Sequence, residues 1–330
     1  MTTVALLPSP ATPLSHESAH AAFADILDGR ATEEAIATFL IDLAERGETS
    51  IEIAEAARAL RERLLPITAP PGAIDVCGTG GDGHHTLNVS TAVALVVAAC
   101  GVPVAKHGNR AASSKAGAAD TLEALGLDMT RAGAAAEDTL HALGICFLFA
   151  ANHHPAMKRI QPIRQRLGRR TIFNLMGPLA NPAHVTRQLI GIARPDYAPV
   201  YAEALQLLGT EAALIVSGEE GLDELSCAGP SVAESIGDID LPKRIVPEDA
   251  GLPRQPLSAI RGGDPADNAI ALRHLLSGEA GAYRDAVLLN AAAALVLAGT
   301  CERLPDGAAR AAEAIDSGAA NDLLDRWIAW

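Results

Sequence analysis

The sequence predicts an α/β protein with a small all-helical domain at residues 1–69 and a large α/β domain at residues 70–330, built on a mostly parallel central sheet. Three observations support this prediction. The chain has 330 residues, more than one domain usually contains. Its first part repeats apolar residues at helical spacing. Its remainder alternates short apolar runs with longer Ala- and Leu-rich patterns.

The first domain is predicted from the spacing of its apolar residues. These recur three or four positions apart in two groups, Ile36, Phe39, Leu40 and Leu43, and then Ile53, Ala57, Leu60 and Leu64. Gly47 is expected to end one helix, and Thr49 with Glu52 forms a capping box for the next. Pro66, followed by prolines at positions 70 and 71, ends the helical pattern and marks the expected domain boundary.

The second domain is predicted from five short β-branched or apolar runs. The expected strands are Ala73 to Cys77, Val102 to Ala105, Cys146 to Phe149, Leu189 to Ala193 and Leu214 to Ser217. Helical patterns separate them, which is typical of a parallel sheet because parallel neighbours need a crossover connection. The tail from Ala308 to Trp330 is expected to form one or two closing helices.

Charge and cysteine content narrow the classes of partner and compartment. Lys and Arg number 26 against 40 Asp and Glu, so the formal charge of −14 repels nucleic acid at long range. The five cysteines are scattered and form no CxxC pair, which argues against a disulfide framework or a structural zinc site. The apolar runs at residues 92–100 and 291–298 are too short to span a bilayer. We therefore expect a soluble cytoplasmic protein that binds neither nucleic acid nor membranes.

A glycine-rich loop follows the first expected strand. It reads GTGGDG from Gly78 to Gly83 and leads through a polar stretch to the segment NVST at residues 88–91 and an apolar helix. A loop between a strand and a helix start suits an anion, because glycines let backbone amides approach it and the helix dipole favours its charge. The sequence thus predicts a phosphate-binding loop, and a purely structural turn is the alternative.

The same glycines satisfy the GxGxxG spacing of a dinucleotide-binding site at Gly78, Gly80 and Gly83. Two observations weaken that interpretation. Asp82 would face a pyrophosphate with no metal to offset its charge. The next strand also leads to Lys106, where an acid that holds a ribose is expected. The loop therefore indicates a phosphate without identifying the ligand.

A second polar loop follows the second expected strand. Residues 106–114 read KHGNRAASS and gather two cations, an imidazole, an amide and two hydroxyls on an acidic chain. This set of donors suits a polyanion, and the alternative is an ordinary solvated loop. Both loops follow strands, and an open parallel sheet binds ligands at the carboxyl ends of its strands. We expect the two loops to contribute to one site.

Together these motifs resemble the signature of the anthranilate phosphoribosyltransferases. GTGGDG, NVST and KHGNRAASS occur in the order and spacing of that family. Further segments agree, namely HHPAMK at residues 153–158, RTIFNLMGPL at 170–179, GLDEL at 221–225 and NAA at 290–292. The similarity covers nearly the whole chain, and the combination is far more specific than any one motif.

The resemblance implies a nucleoside phosphorylase/phosphoribosyltransferase-like fold, with helices from about residues 155–185 joining the helical domain, and a homodimer formed through that domain. It implies Mg²⁺-dependent transfer of the phosphoribosyl group of phosphoribosyl pyrophosphate (PRPP) to the amine of anthranilate, with release of pyrophosphate, in tryptophan biosynthesis. The positions that match the family's substrate contacts are Gly78, Gly81, Asp82, Thr86, Asn88, Val89, Ser90, Thr91, Lys106, His107, Gly108, Asn109, Arg110, Ala111, Ala112, Ser113, Ser114, Ala118, His154 and Arg164.

The resemblance also implies individual roles. Lys106 and Asp82 are the expected catalytic residues, and Lys106 would neutralise the departing pyrophosphate. Mg²⁺, a hard cation that prefers oxygen ligands, would be held by Ser90, Asp223 and Glu224. Arg164 would pair with the carboxylate of anthranilate. From the residues alone, the acidic pair at 223–224 could equally be solvated, and Arg164 could be one exposed charge on a basic helix.

Two positions depart from the usual pattern of the family. Ala118 stands where a serine commonly contacts the phosphoribosyl ligand, so one hydrogen bond to that ligand is expected to be missing or replaced by water. Ala151 stands where a proline often precedes the HHP motif. These differences bear on substrate affinity and leave the expected reaction unchanged.

Two other functions fit part of the same pattern. A pyrimidine nucleoside phosphorylase resembles this fold and has a glycine-rich phosphate loop, but KHGNRAASS and the region of Arg164 favour the transferase. A nucleic-acid-binding relative without catalysis should be basic and should lack an intact GTGGD loop. This chain is acidic and has the loop.

Overall fold

The structure, a computed structural model, describes residues 5–111 and 115–330. The expected substrate contacts of Ala112, Ser113 and Ser114 therefore lie outside the described residues. The remainder of the chain forms a helical part that packs on an α/β part with a mostly parallel sheet, which confirms the predicted fold class.

Within the described residues, seven strands form one sheet in the order β3-β2-β1-β4-β5-β6-β7. Their bounds are β1 Ile74–Gly78, β2 Val104–Gly108, β3 Ile145–Phe149, β4 Arg187–Gly191, β5 Ala212–Gly218, β6 Ser231–Ile236 and β7 Arg244–Ile245. The first five are parallel, and β6 and β7 are added antiparallel at one edge. All five predicted strands are present, and the two antiparallel strands are additional to the prediction.

The N-terminal helices are α1 His16–Asp28, α2 Glu33–Arg46 and α3 Ser50–Arg61. As predicted, α2 ends directly before Gly47, whose backbone N–H caps the last turn. Thr49 and Glu52 cap the start of α3 reciprocally, with side-chain to backbone bonds in both directions. Local sequence therefore determines where these two helices begin and end.

The other helices connect and cover the strands. They are α4 Val89–Ala99, α5 Ala118–Ala124, α6 Met129–Ala134, α7 Ala136–Leu143, α8 Ala150–His153, α9 Met157–Leu167, α10 Met176–Leu179, α11 Ala198–Leu207, α12 Pro265–Leu276, α13 Ala282–Leu297, α14 Leu304–Asp316 and α15 Ala319–Ala329. The last two are the closing helices that the sequence predicts. Across residues 5–111 and 115–330, no helix has the length and apolarity that crossing a membrane would require.

The two faces of the sheet are buried against different helices. Leu214 and Val216 of β5 belong to the core around α4 and α13, and their neighbours Ala213 and Ile215 belong to the core that includes α1, α2, α3 and α11. This division follows from the period of two along a strand. α9, which is distant in sequence, contacts α1 and α2. The carboxyl ends of the central strands consequently lie beside the helical part.

Candidate active site

A polar cleft of about 380 Å³ lies at the carboxyl ends of the parallel strands. Its wall consists of the glycine loop after β1, the first turn of α4, the end of β2 with its following loop, and the loop after β5. Every sequence-predicted site residue in the described part of the chain lines this polar cleft, except Thr91 and His154. The two loops that were expected to share a site therefore do meet.

A second cavity, of about 490 Å³, adjoins the polar cleft, and we call it the side cavity. The two share the wall residues His107, Asn109, Ala150, Arg164, Phe173 and Gly177. The rest of the side cavity is largely apolar and includes Leu60, Met157, Pro162, Met176 and Ala180. A ligand in one cavity would thus lie next to a ligand in the other.

The glycine loop passes unusually close to Asp223. A Cβ atom at Gly78 would lie 2.4 Å from Asp223 Oδ2, so no larger residue fits there. Gly80 and Gly81 have φ values of 69° and 76°, which residues with a side chain rarely adopt. The Gly80 N–H donates to Asp223 Oδ2 at 2.8 Å. The glycines are therefore required by the fold of the site as well as by any phosphate.

The first turn of α4 directs the positive end of the helix dipole toward the polar cleft. Val89 and Ser90 line the cleft there, and the Asn88 side chain is held by a 2.5 Å hydrogen bond from Thr121 Oγ1. Thr91 differs from the prediction, because its side chain is buried in the protein and does not line the cleft. The N-terminal position of Thr91 in α4 leaves only its backbone amide for a ligand.

Lys106 lies at the floor of the polar cleft with only 3% of its surface exposed. Its Nζ donates to Val76 O at 2.7 Å and to Ser90 Oγ at 3.2 Å. An ammonium group has three N–H donors, so one remains for a ligand. The nearby carboxylates of Asp75 and Glu224 offset its buried charge.

Asp75 does not line the polar cleft, but it supports the strands that do, and the sequence analysis did not single it out. It is fully buried on β1, and its carboxylate accepts hydrogen bonds from His107 N at 3.1 Å, Asn181 Nδ2 at 2.8 Å and Cys77 Sγ at 3.2 Å. Burial raises the pKa of Asp75, and the charge of Lys106 opposes that effect. Asp75 thereby fixes the end of β2 relative to β1. The sequence signal that could have identified Asp75 is an acidic residue within an otherwise apolar strand.

His107 and His154 form a neutral pair on the wall of the side cavity. His107 Nδ1 lies 2.8 Å from Gly177 O and must donate to it, so His107 Nε2 accepts from His154 Nε2 at 3.3 Å. Burial, and secondarily His154, lower the pKa of His107 to about 3. Burial lowers the pKa of His154 to about 4. Both rings are therefore uncharged at neutral pH and shape the cavity without adding positive charge.

The basic loop is held in place by α5. Arg110 lines the polar cleft, but its guanidinium pairs with Asp120 at 2.9 Å and Glu123 at 2.8 Å, which offset its charge. Asp120 also accepts from the backbone N–H groups of Ala111 and Gly117, each at 2.9 Å. The methyl group of Ala118 lines the cleft where the family pattern has a hydroxyl. The sequence analysis counted Arg110 as one of two cations in this loop, and the structure shows that acidic partners offset its charge.

Arg164 differs from the neighbouring arginines of α9 and of the segment that follows it. Arg166 pairs with Glu33, Arg169 pairs with Glu45, and Arg159 donates to a backbone carbonyl. The Arg164 guanidinium is partly buried, lines both cavities, and makes no hydrogen bond or ion pair within residues 5–111 and 115–330. Burial lowers its pKa, although an arginine stays charged at neutral pH. Arg164 is thus a cation available to an anionic ligand.

Three carboxyl groups, those of Asp82, Asp223 and Glu224, converge in the wall of the polar cleft. Burial raises the pKa of Asp223, and repulsion from Asp82 adds to it. Burial and repulsion from Asp223 likewise raise the pKa of Glu224. The buried Asp82 Oδ2 finds no hydrogen-bond partner in the part of the chain that the structure describes. Crowded carboxylates with an unsatisfied oxygen are the condition that a cation relieves.

The oxygen ligands beside these carboxyl groups fit Mg²⁺. Ser90 Oγ, Asp223 and Glu224 all line the polar cleft and supply only oxygen ligands. Among the described residues, no group of three or more His, Cys, Asp or Glu side chains could hold a metal by itself. Mg²⁺ commonly takes one or two carboxylates and completes its shell with water and substrate phosphates. The arrangement therefore suits a cation that arrives with a phosphorylated substrate.

Comparison with known proteins agrees with this geometry. The chain matches two family models, described as glycosyl transferase family, a/b domain, at residues 70–321, and glycosyl transferase family, helical bundle domain, at residues 10–64. It is 66% identical over 325 residues to the anthranilate phosphoribosyltransferase of Novosphingobium aromaticivorans, covering 98% of each chain.

Two solved structures are also similar. The anthranilate phosphoribosyltransferase from Thermus thermophilus has a TM-score of 0.92 and 43% identity, with 97% of this chain and 96% of that chain covered. The enzyme from Saccharomyces cerevisiae in complex with PRPP and Mg has a TM-score of 0.87 and 30% identity, with 96% and 93% covered. The chain therefore belongs to the anthranilate phosphoribosyltransferase family.

Proposed function

We propose that the polar cleft binds PRPP and the side cavity binds anthranilate, so that the phosphoribosyl group passes to the aromatic amine and pyrophosphate is released. The chain is a phosphoribosyltransferase of tryptophan biosynthesis and uses Mg²⁺. The observation that carries the assignment of the two substrates is the junction of the cavities. A polar cleft with a glycine loop and Lys106 meets a largely apolar cavity that contains Arg164, which has no partner among the described residues.

Positioning and charge can account for the chemistry. The amine of anthranilate is weakly basic and carries a free lone pair at neutral pH, so a strong general base is unnecessary. The backbone amides of the glycine loop and the third N–H of Lys106 would stabilise negative charge on the departing pyrophosphate. Arg164 would hold the anthranilate carboxylate and direct the amine toward the ribose carbon, which gains oxocarbenium character.

Ser90, Asp223 and Glu224 are the residues proposed to hold Mg²⁺. When bound, the ion supplies charge neutralisation to the pyrophosphate. Asp82, the other expected catalytic residue, lies against Asp223, and its Oδ2 has no hydrogen-bond partner in residues 5–111 and 115–330. It would therefore accept hydrogen bonds from water or ligand hydroxyls beside the metal site.

The function is tested directly by the loss of anthranilate fluorescence when PRPP and Mg²⁺ are added to the purified protein. We expect the fluorescence of anthranilate to fall only when the protein, PRPP and Mg²⁺ are all present, with release of one pyrophosphate per anthranilate consumed. Unchanged fluorescence with the folded protein would refute the proposed reaction.

Replacing Arg164 with alanine should raise the KM for anthranilate much more than the KM for PRPP. Loss of a charge-assisted carboxylate clamp costs about 1.5 to 3 kcal/mol, which is roughly a 10- to 150-fold change in KM. Steady-state kinetics with each substrate varied in turn measures both constants. Arg166→Ala, on the same helix but paired with Glu33, is the matched control and should change neither. Equal effects of Arg164→Ala on both substrates would contradict the assignment.

Replacing Ala118 with serine should lower the KM for PRPP and leave the KM for anthranilate almost unchanged. Its side chain lines the polar cleft and does not line the side cavity, so a new hydroxyl would reach only the phosphoribosyl ligand. The gain is at most the worth of one hydrogen bond to a charged group, about 1.5 to 3 kcal/mol, and is smaller where water already fills the gap. Ala124→Ser, at the exposed end of the same helix, is the control. A change confined to anthranilate would place residue 118 elsewhere.

The resemblance to the family supports three further inferences, on domain organisation, compartment and oligomeric state. Residues 1–69, joined by helices from about residues 155–185, form the helical domain, and residues 70–330 form the α/β domain. The protein is cytoplasmic. It acts as a homodimer that associates through the helical domain. Light scattering on the purified protein measures its mass, and a monomeric mass at working concentration would contradict the dimer.

A further inference from the structure

A third cavity lies behind the glycine loop and is distinct from the two substrate cavities. It has a volume of about 310 Å³, and we call it the rear cavity. Its wall combines Ala44 and Glu48 of the N-terminal helical segment, Arg170 and Thr171 of the segment after α9, and Thr79 and Ile192, which follow β1 and β4. Thr79 is the one described residue that it shares with the polar cleft, and it shares none with the side cavity.

Two hydroxyl groups in the wall of the rear cavity are buried without partners. Thr171 is 3% exposed, and its Oγ1 makes no hydrogen bond within residues 5–111 and 115–330. The Oγ1 of Thr79 is likewise buried and unpartnered in that part of the chain. Leaving a buried polar group unsatisfied costs free energy, so such groups usually face water or a ligand. Both residues line this cavity, and Thr171 lines neither of the others.

Arg170 is the cation of the rear cavity that has no acidic partner among the described residues. Arg169 pairs with Glu45, and Arg194 pairs with Asp196. Arg170 instead donates through Nη1 to the carbonyl oxygens of Gly80 and Gly81, at 3.3 and 3.1 Å. A guanidinium has five N–H donors, so those on Nη2 and Nε remain available.

We propose that the rear cavity binds a small monocarboxylate with an apolar body, held by Arg170 and the hydroxyls of Thr79 and Thr171. Alanine, leucine and isoleucine side chains provide the apolar wall. The carboxylate of Glu48 also lines the cavity and accepts from Tyr197 at 2.6 Å. It repels a second negative charge, which favours a monocarboxylate over a phosphate dianion.

Occupancy of the rear cavity is coupled to the glycine loop, and this coupling rests on the proposed function of the polar cleft. A carboxylate that binds Nη2 and Nε of Arg170 leaves Nη1 free to keep its hydrogen bonds to the carbonyl oxygens of Gly80 and Gly81. The bound ligand therefore stabilises the glycine loop in the conformation that faces PRPP. Linkage is reciprocal, so each ligand tightens the binding of the other.

The test uses isovalerate as the probe and isovaleramide as its uncharged match, with binding followed by NMR titration of the full chain. Because Arg164 could also bind a carboxylate, the titrations are made in the Arg164→Ala background. We expect saturable binding of isovalerate that is weakened about tenfold or more by Thr171→Val, which removes the hydroxyl, and by Ala44→Leu, which fills the cavity. Isovaleramide should bind about tenfold more weakly than isovalerate.

Thr38→Leu, which adds bulk to the exposed face of α2, is the matched control and should not change binding. Absence of saturable binding, equal binding of the amide, or binding that survives both cavity variants overturns the proposal. The coupling is measured as the Kd for PRPP, which saturating isovalerate should lower about fivefold. An unchanged Kd for PRPP overturns the coupling. If the protein binds isovalerate as expected but does not bind PRPP, the proposed function is refuted and the binding site in the rear cavity is retained.

Discussion

The double variant Asp223→Asn, Glu224→Gln is expected to lose turnover by a factor of about 10³ at ordinary Mg²⁺ while its fold stays intact. Both substitutions keep the shape of the side chain and remove its charge, so the proposed cation site is lost. The amide oxygen introduced at position 223 can still accept from the Gly80 N–H, as Asp223 Oδ2 does at 2.8 Å. Steady-state turnover, measured over a Mg²⁺ titration by anthranilate fluorescence, gives the effect.

Stability measurements separate this effect from unfolding. Burial raises the pKa values of Asp223 and Glu224, with further repulsion from Asp82 on Asp223 and from Asp223 on Glu224. Neutralising both should therefore leave the Tm in the absence of Mg²⁺ unchanged or higher. Mg²⁺ with PRPP should raise the Tm of the wild type and not that of the variant. Glu219→Gln, at the start of the same loop and paired with Arg244 on the surface, is the control. Undiminished turnover in the double variant would remove both acids from the site.

Features set by local sequence were predictable, and features set by distant contacts were not. The capping box of Thr49 and Glu52 lies within four residues, and each parallel strand contains or adjoins a short apolar run, so pattern alone finds them. β6 (Ser231–Ile236) mixes polar and apolar residues and is only partly buried, because it lies near the edge of the sheet. Its register is decided by pairing with β5, which sequence spacing does not encode.

The same distinction applies to the polar cleft and the residues that support it. The glycine and basic loops could be expected to meet, since both follow parallel strands. Asn181 reaches Asp75 across 106 residues of sequence, and no local pattern indicates that contact. The ion pairs of Arg110 with acidic residues depend on how α5 is oriented, which the sequence does not show. The sequence therefore indicated a cation available to a ligand, whereas in the structure the charge of Arg110 is offset. Asp223, Glu224 and Arg164 were singled out only through the resemblance, because single charged residues are usually solvated.

Replacing Lys106 with alanine is expected to lower kcat by about 10² to 10³, with a smaller effect on the KM for anthranilate. Its ammonium is almost fully buried at the floor of the polar cleft and has one N–H free after donating to Val76 O and Ser90 Oγ. That donor would stabilise charge on the departing pyrophosphate, and its contribution grows as the charge develops. Turnover at saturating substrates measures the loss.

Removal of Lys106 also leaves the buried carboxylates of Asp75 and Glu224 without their cation, so lost activity alone could reflect a disturbed fold. Chemical rescue distinguishes the two explanations. Ethylammonium, which can occupy the space of the deleted side chain and carries its charge, should restore part of kcat, and ethanol of similar size should not. Lys115→Ala, an exposed cation near the same loop that does not line the cleft, should keep full activity. Equal rescue by the charged and uncharged compounds would mean that Lys106 fills space in the cleft and supplies no charge to the reaction.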